Sequence, residues 1–270
     1  MPEQRPKLPP FQTYWHGQSI WQVQSCWARM ADAAQGLGMI SGSTVQRRWV
    51  TVAVRLITAA LPEATLNLYA NENGSRFVVS QWSETPGATR AWDFITTRRA
   101  DGGYDVRPGL LWGESDRSDF AQQCPEHVGS SNAPGEMFSG FNYNTSYLGG
   151  GRGESNPSPA RLPQVRSPAA TVAFGDGEYR GGANKFMRAP LNVGVDGKSP
   201  RDGTITYRAA GTQGFRHAGR TNAALVDGHV DSLGDRHTTF QRIGINPGDA
   251  SALGDRVGFL SADNSLYDLN

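Results

Sequence analysis

Phe215-Arg-His-Ala-Gly-Arg-Thr-Asn-Ala-Ala-Leu-Val-Asp-Gly-His-Val-Asp-Ser-Leu233 carries the strongest fold signal in this chain. Asp227-Gly228 stands between two short runs of strand-forming residues, the strongest local signal for a β-hairpin closed by a two-residue type I′ turn. The pattern predicts paired strands over Asn222–Val226 and His229–Leu233. In that register Leu225 opposes Val230 and Ala223 opposes Ser232 on a face apolar enough to bury. Val226 with His229, and Ala224 with Asp231, share the other face. His217 precedes Asp227-Gly228 by nine intervening residues, and the hairpin gives it no role of its own.

Outward from this hairpin, Asp-Gly pairs recur at Asp101, Asp176, Asp196 and Asp202, which predicts sheet and tight turns in the C-terminal half. Ala170–Phe174 reads as a strand that ends in Gly175-Asp-Gly177. Gly149–Pro159 lacks apolar anchors and reads as a surface loop. It also lacks the Gly-Lys-Ser/Thr of a phosphate cradle. Upstream, Val45–Ala70 is the most helix-like region, with Val45, Trp49, Val52, Leu56, Ala59 and Ala60 at spacings of three and four. Pro62 interrupts it and Asn73-Gly74 stops it. Residues 1–44 mix Trp15, Trp21 and Trp27 with Gln, Gly and Arg in no steady period, a poor fit to a packed element. The expected organisation is therefore an atypical, poorly ordered segment over 1–44 and one α+β domain over 45–270. That domain has its helix at about 45–72 and a loop-rich β body over 77–270.

Composition narrows the function classes. With 26 basic against 25 acidic residues, the net charge of +1 gives no electrostatic reason to expect nucleic acid or an anionic membrane surface as partner. The 33 glycines and 16 prolines describe a turn-rich chain. Its longest apolar window, Trp49–Leu61, is 13 residues and contains Arg55. That is short of the roughly 20 that span a bilayer. Met1–Pro10 holds four prolines and reads as no secretory signal.

Several pieces in order along the chain carry a family resemblance. Arg216-His217 through Asp227-Gly228-His229-Val230 resembles the prepilin-type processing-associated C-terminal motif (His, nine residues, Asp-Gly) of a large bacterial family of type IV pilin-like proteins related to the type II secretion pseudopilins. Leu66-Asn-Leu-Tyr-Ala-Asn-Glu-Asn-Gly-Ser-Arg-Phe77 resembles the end of that family's N-terminal helix. Cys124-Pro125, Phe141-Asn-Tyr-Asn144, Ser167–Asp176 and Gly258–Asn264 resemble its later landmarks. The resemblance runs from about Leu61 to the C-terminus. It implies an α+β fold in which an N-terminal helix packs on an antiparallel β-sheet, with long loops and C-terminal β-hairpins. It further implies a non-catalytic structural subunit of a cell-envelope or extracellular assembly, partnered by itself or by other pilin-like subunits. The family's basic leader and apolar stalk have no counterpart in residues 1–60, so membrane contact is expected only through a leader helix missing from this chain. A cysteine near the helix end commonly accompanies the family's Cys-Pro cysteine. Arg55–Leu66 has none, which leaves Cys26 with Cys124 as the candidate disulfide.

The motif residues His217, Asn222, Asp227, Gly228 and His229 are expected to be structural, with His217 bonded to the turn or to a nearby loop carbonyl. No cofactor is expected. If a cation binds, calcium or another divalent ion would draw on Asp176, Asp227, His229 and Asp231, with Glu178, Asp196 and Asp202 as further oxygen donors. Two readings from other classes compete. One is a secreted metal-dependent hydrolase using His217, Asp227 and His229. The other is a carbohydrate-binding module, which needs at least two of Trp82, Trp92 and Trp112 exposed and coplanar; the plainer role of these rings is to fill the seam between helix and sheet. No Gly-x-Ser-x-Gly elbow is present.

Overall fold

The computed structural model describes residues 65–112, 124, 126–127, 129–131, 139–151, 156–191, 211–238 and 255–270. The chain divides into two units, Met1–Ala53 and Val54–Asn270, and every described residue belongs to the second. The expected boundary at 44/45, the helix before residue 65, Cys26, Asp196 and Asp202 lie outside the described residues.

The described part is mostly β, with one α-helical segment at residues 65–72 and a short 3-10 helix at Leu162–Gln164. Leu66 and Ala70, four apart on one face, are fully buried in the main apolar cluster. The helix stops at Asn73-Gly74 as the sequence predicts. Gly74 takes φ 64°, and the Ser75 N–H reaches back to Ala70 O at 2.7 Å, so the terminal carbonyl is satisfied.

A four-stranded antiparallel meander follows, β1 (Gln81–Thr85), β2 (Ala88–Ala91), β3 (Phe94–Arg98) and β4 (Tyr104–Pro108). The sequence marks its Asp101-Gly102 turn but not its individual strands, because these are short and their Thr and Arg residues mask any clean alternation. The second sheet orders its strands β10-β9-β6-β5-β7. These are β5 (Phe141–Asn144), β6 (Val172–Asp176), β7 (Phe186–Met187), β9 (Thr221–Leu225) and β10 (Val230–Leu233). Where an antiparallel sheet is expected, this one is mixed, since β7 runs parallel to β5. A small third sheet pairs β8 (Gln213–Gly214) with β11 (Val257–Gly258).

The core lies where the second sheet meets the residues after β2. Trp92, Tyr143 and Phe174 form a fully buried aromatic triangle, with centroids 5.0 to 5.8 Å apart. Each such pair adds about 0.5–1.5 kcal/mol beyond its buried area. Trp112 is buried as well, whereas Trp82 is 40% exposed, so the seam-filling role holds for two of the three rings. Two exposed coplanar rings, the requirement for a sugar platform, are therefore lacking. The predicted loop at Gly149–Pro159 starts inside the core, because a Cβ on Gly149 would meet the Tyr143 ring at 2.5 Å.

The deciding hairpin forms between β9 and β10, but not in the expected register. Val230 pairs with Ala224, Asp231 with Ala223, Ser232 with Asn222 and Leu233 with Thr221. That is one residue away from the two-residue reading. The loop is the three-residue Val226-Asp227-Gly228, in which Leu225 N donates to His229 O and Gly228 N to Leu225 O. Gly228 alone takes positive φ, 101°, and the Asp227 carboxylate accepts the His229 N–H at 3.2 Å. This is a turn followed by a left-handed residue, the usual three-residue hairpin. Alternation could not have fixed the register, since all five residues of β9 are buried and neither face is polar by exposure. The two-residue turn with positive φ at both centres lies earlier, at Ala218-Gly219, where φ is 56° and 80° and His217 and Arg220 exchange backbone hydrogen bonds.

Candidate functional site

Asp176-Gly177, expected as a turn, is the end of strand β6 and its continuation. Glycines flank the aspartate because neighbouring groups come too close for side chains. A Cβ on Gly175 would lie 2.3 Å from the Gln213 amide oxygen, and one on Gly177 would lie 2.0 Å from Asn184 O. Asp176 is thereby sunk into the protein at 1% exposure.

Buried charge must be matched, and this carboxylate is. Oδ2 accepts the Asn222 backbone N–H at 2.7 Å and the Thr221 hydroxyl at 3.4 Å, and it faces His217 Nε2 at 3.0 Å. Oδ1 takes the Arg216 guanidinium at 3.2 Å. Arg216 also donates to the carbonyls of Gly140 (2.5 Å) and Gly177 (3.3 Å), and it lies 3.7 Å from Glu178. Glu178, buried too, pairs with Arg256 at 2.9 Å. The Cys124 thiol completes the group, 3.7 Å from Asp176 Oδ1 and 3.8 Å from His217 Nε2.

Local structure brings these side chains together. The tight turn at Ala218-Gly219 folds His217 and Arg216 inward from the segment that leads into β9. Cys124 is held by its N–H on Ser139 O at 2.7 Å, and it passes so close to Gly140 that a Cβ there would lie 3.0 Å from its own.

The charges follow from this packing. Burial opposes the His217 imidazolium, but its hydrogen bonds to Asp176 and Cys124 outweigh that and raise its pKa to about 9. Burial likewise works against the Asp176 carboxylate, and Arg216, His217 and the Asn222 N–H overcome it, leaving the pKa below the ordinary value.

The predicted residues separate into two groups. His217, Asn222 and Asp176 meet inside, and His217 bonds a carboxylate where a turn group or loop carbonyl was expected. Asp227, His229 and Asp231 are exposed at the hairpin tip. There the His229 ring lies between two carboxylates, Nδ1 at 2.5 Å from Asp227 and Nε2 at 3.4 Å from Asp231. The hydrogen bond to Asp227 holds its pKa above the usual value. Asp176 is spent elsewhere, so the expected four-residue cation set is not assembled. Cys124 is a free, buried thiol, and the Cys26–Cys124 disulfide finds no support here. Sequence reasoning missed Arg216, whose only signal was its place next to His217, and Cys124, which was read as half of a bridge.

Cysteine, histidine and aspartate together suggest a nucleophile relay, but the geometry is wrong for one. A relay needs the thiol on one ring nitrogen and the carboxylate on the other. Here both meet Nε2, and Nδ1 is buried with no hydrogen-bond partner. Among the described residues, no helix is long and apolar enough to cross a membrane. Compared with protein-family models, curated proteins and solved structures, the chain finds no match.

Proposed function

We propose that this chain is a pilin-like or pseudopilin-like structural subunit of a cell-envelope assembly, and that the His217 motif is a buried clasp. The observation that carries this reading is that His217 is spent on Asp176 inside the protein, 3.0 Å away and 5% exposed, where no substrate reaches it. The other landmarks of the resemblance fall around the same core. Phe141–Asn144 is the buried strand β5, Ser167–Asp176 leads into β6, and Cys124 meets Asp176. Asn264 bonds the Tyr147 hydroxyl at 2.7 Å. Pieces chosen for resemblance alone, far apart in sequence, thus serve one packing task.

The hydrolase reading needs His217, Asp227 and His229 in one site. His217 is buried on Asp176, whereas Asp227 and His229 bond each other in solvent. Partners of the subunit would be copies of itself or other pilin-like chains. Cross-linking in cells that express the full gene, followed by envelope fractionation, tests this. Envelope-associated multimers are expected; a soluble monomer, or hydrolytic turnover that depends on His217, would refute it.

A further inference from the structure

The buried cluster has more donors than an ion-pair clasp needs. Arg216 and the Asn222 N–H already neutralise and cap Asp176, yet a thiol from a separate segment and the imidazole next to Arg216 also converge on it. We propose that Cys124, Asp176 and His217 bind a thiophilic divalent transition metal, with Zn2+ the ion this donor set suits best.

Three observations support the assignment. First, the donors are one sulfur, one imidazole nitrogen and one carboxylate, all buried and within 4.8 Å of one another. Thiolate and imidazole favour zinc, while calcium takes six to eight oxygens. Second, the spacing fits. Zinc bond lengths of about 2.0–2.3 Å on a tetrahedron set ligand-to-ligand distances of about 3.4–3.6 Å. The observed contacts are 3.7 Å from Cys124 Sγ to Asp176 Oδ1, 3.8 Å from Cys124 Sγ to His217 Nε2 and 3.0 Å from His217 Nε2 to Asp176 Oδ2. The two contacts to Asp176 use different carboxylate oxygens, so loading would bring one of them to both partners, within the 4.8 Å that encloses one atom from each ligand. Third, the supports are in place. Asp176 keeps Arg216 on Oδ1 and the Asn222 N–H on Oδ2, the kind of outer hydrogen bonds that orient ligating carboxylates.

Three protein ligands leave the fourth tetrahedral position to a small donor such as water. The inference does not depend on the assembly reading, since the clasp would hold with or without an ion.

The test is to refold the full-length chain with Co2+ and record its absorption. A thiolate-to-Co2+ charge-transfer band at one ion per chain, displaced by Zn2+, is expected. Cys26→Ser and His229→Ala should keep the band, Cys124→Ser should remove it, and His217→Gln should weaken binding at least tenfold, in line with loss of a ligand. A folded wild-type chain without the band overturns the proposal, whatever the variants do. A band that survives Cys124→Ser also overturns it.

Discussion

Two hairpins in this molecule close with the same loop and end in opposite environments. Ala100-Asp101-Gly102 joins β3 to β4, and Val226-Asp227-Gly228 joins β9 to β10. In each, one glycine takes positive φ, 87° at Gly102 and 101° at Gly228. In each, the aspartate accepts the N–H two residues on, at 2.9 Å from Gly103 and 3.2 Å from His229. The backbone bonds also correspond, Arg99 N to Gly103 O and Leu225 N to His229 O. Yet Tyr104–Arg107 of β4 is exposed, while β9 is buried throughout. The loop therefore sets local geometry and nothing more. Burial of β9, whose partner β10 is only half-buried or exposed, comes from its position beside β6 and from Asp176, which takes the Asn222 N–H and gathers His217 and Arg216. The pattern of His, nine residues, Asp-Gly thus joins two separate jobs, a buried anchor and an ordinary turn.

The comparison is most open to challenge at the aspartates. Asp176→Ala would leave His217 buried without its counter-charge and Arg216 with only the more distant Glu178 carboxylate, and should cost about 3–5 kcal/mol in urea denaturation. Asp101→Ala, which removes an exposed turn cap and the exposed pair with Arg99, should cost about 1 kcal/mol or less. Similar losses at the two sites would break the distinction.

Next in size is the dependence on pH. The folded pKa of His217 is raised, so its contribution is complete below its unfolded value of about 6.5 and disappears as pH rises through about 9. That loss should be on the order of 3 kcal/mol. Asp176 has the opposite sign: its depressed pKa gives stability that is present above about pH 4 and lost as pH falls further. Metal-free protein should therefore be most stable between about pH 4 and 6.5. His217→Gln should flatten the alkaline limb, and an unchanged limb would assign the titration elsewhere.

The glycines test what the hairpins share. Gly102→Ala and Gly228→Ala each force a side chain into left-handed backbone, at about 1–2 kcal/mol. Near-equal costs by thermal denaturation are expected, and a much larger cost at Gly228 would mean that the loop contributes to burial after all. The smallest effect belongs to the turn beside His217. Ala218 sits at φ 56°, and Ala218→Gly should relieve strain against a gain in unfolded-chain entropy, for a net stabilisation of about 0.5 kcal/mol.

Much of the frame was legible in the sequence. Asp-Gly marked both hairpins, Asn73-Gly74 marked the helix end, and Ala170–Phe174 marked a strand that proves central, observed at Val172–Asp176. What was not legible depends on contacts between distant residues. The register at Asp227 could not be read because β9 is covered on both faces. Asp176-Gly177 looked like a turn because the close packing of Gln213 and Asn184 that requires Gly175 and Gly177 is invisible along the chain. His217 was recognised as unexplained by its hairpin, and Asp176 was named as an outside candidate. Their union with Arg216 and Cys124 needed the fold.

The central claim, that His217 is an anchor on Asp176 and no part of the turn, is tested most directly by the NMR titration of the His217 ring in metal-free protein. The account predicts a midpoint near 9, carried by the carboxylate 3.0 Å away, and a return toward the ordinary value of about 6.5 in Asp176→Asn. A His217 midpoint at or below about 6.5 in the wild-type chain would contradict it.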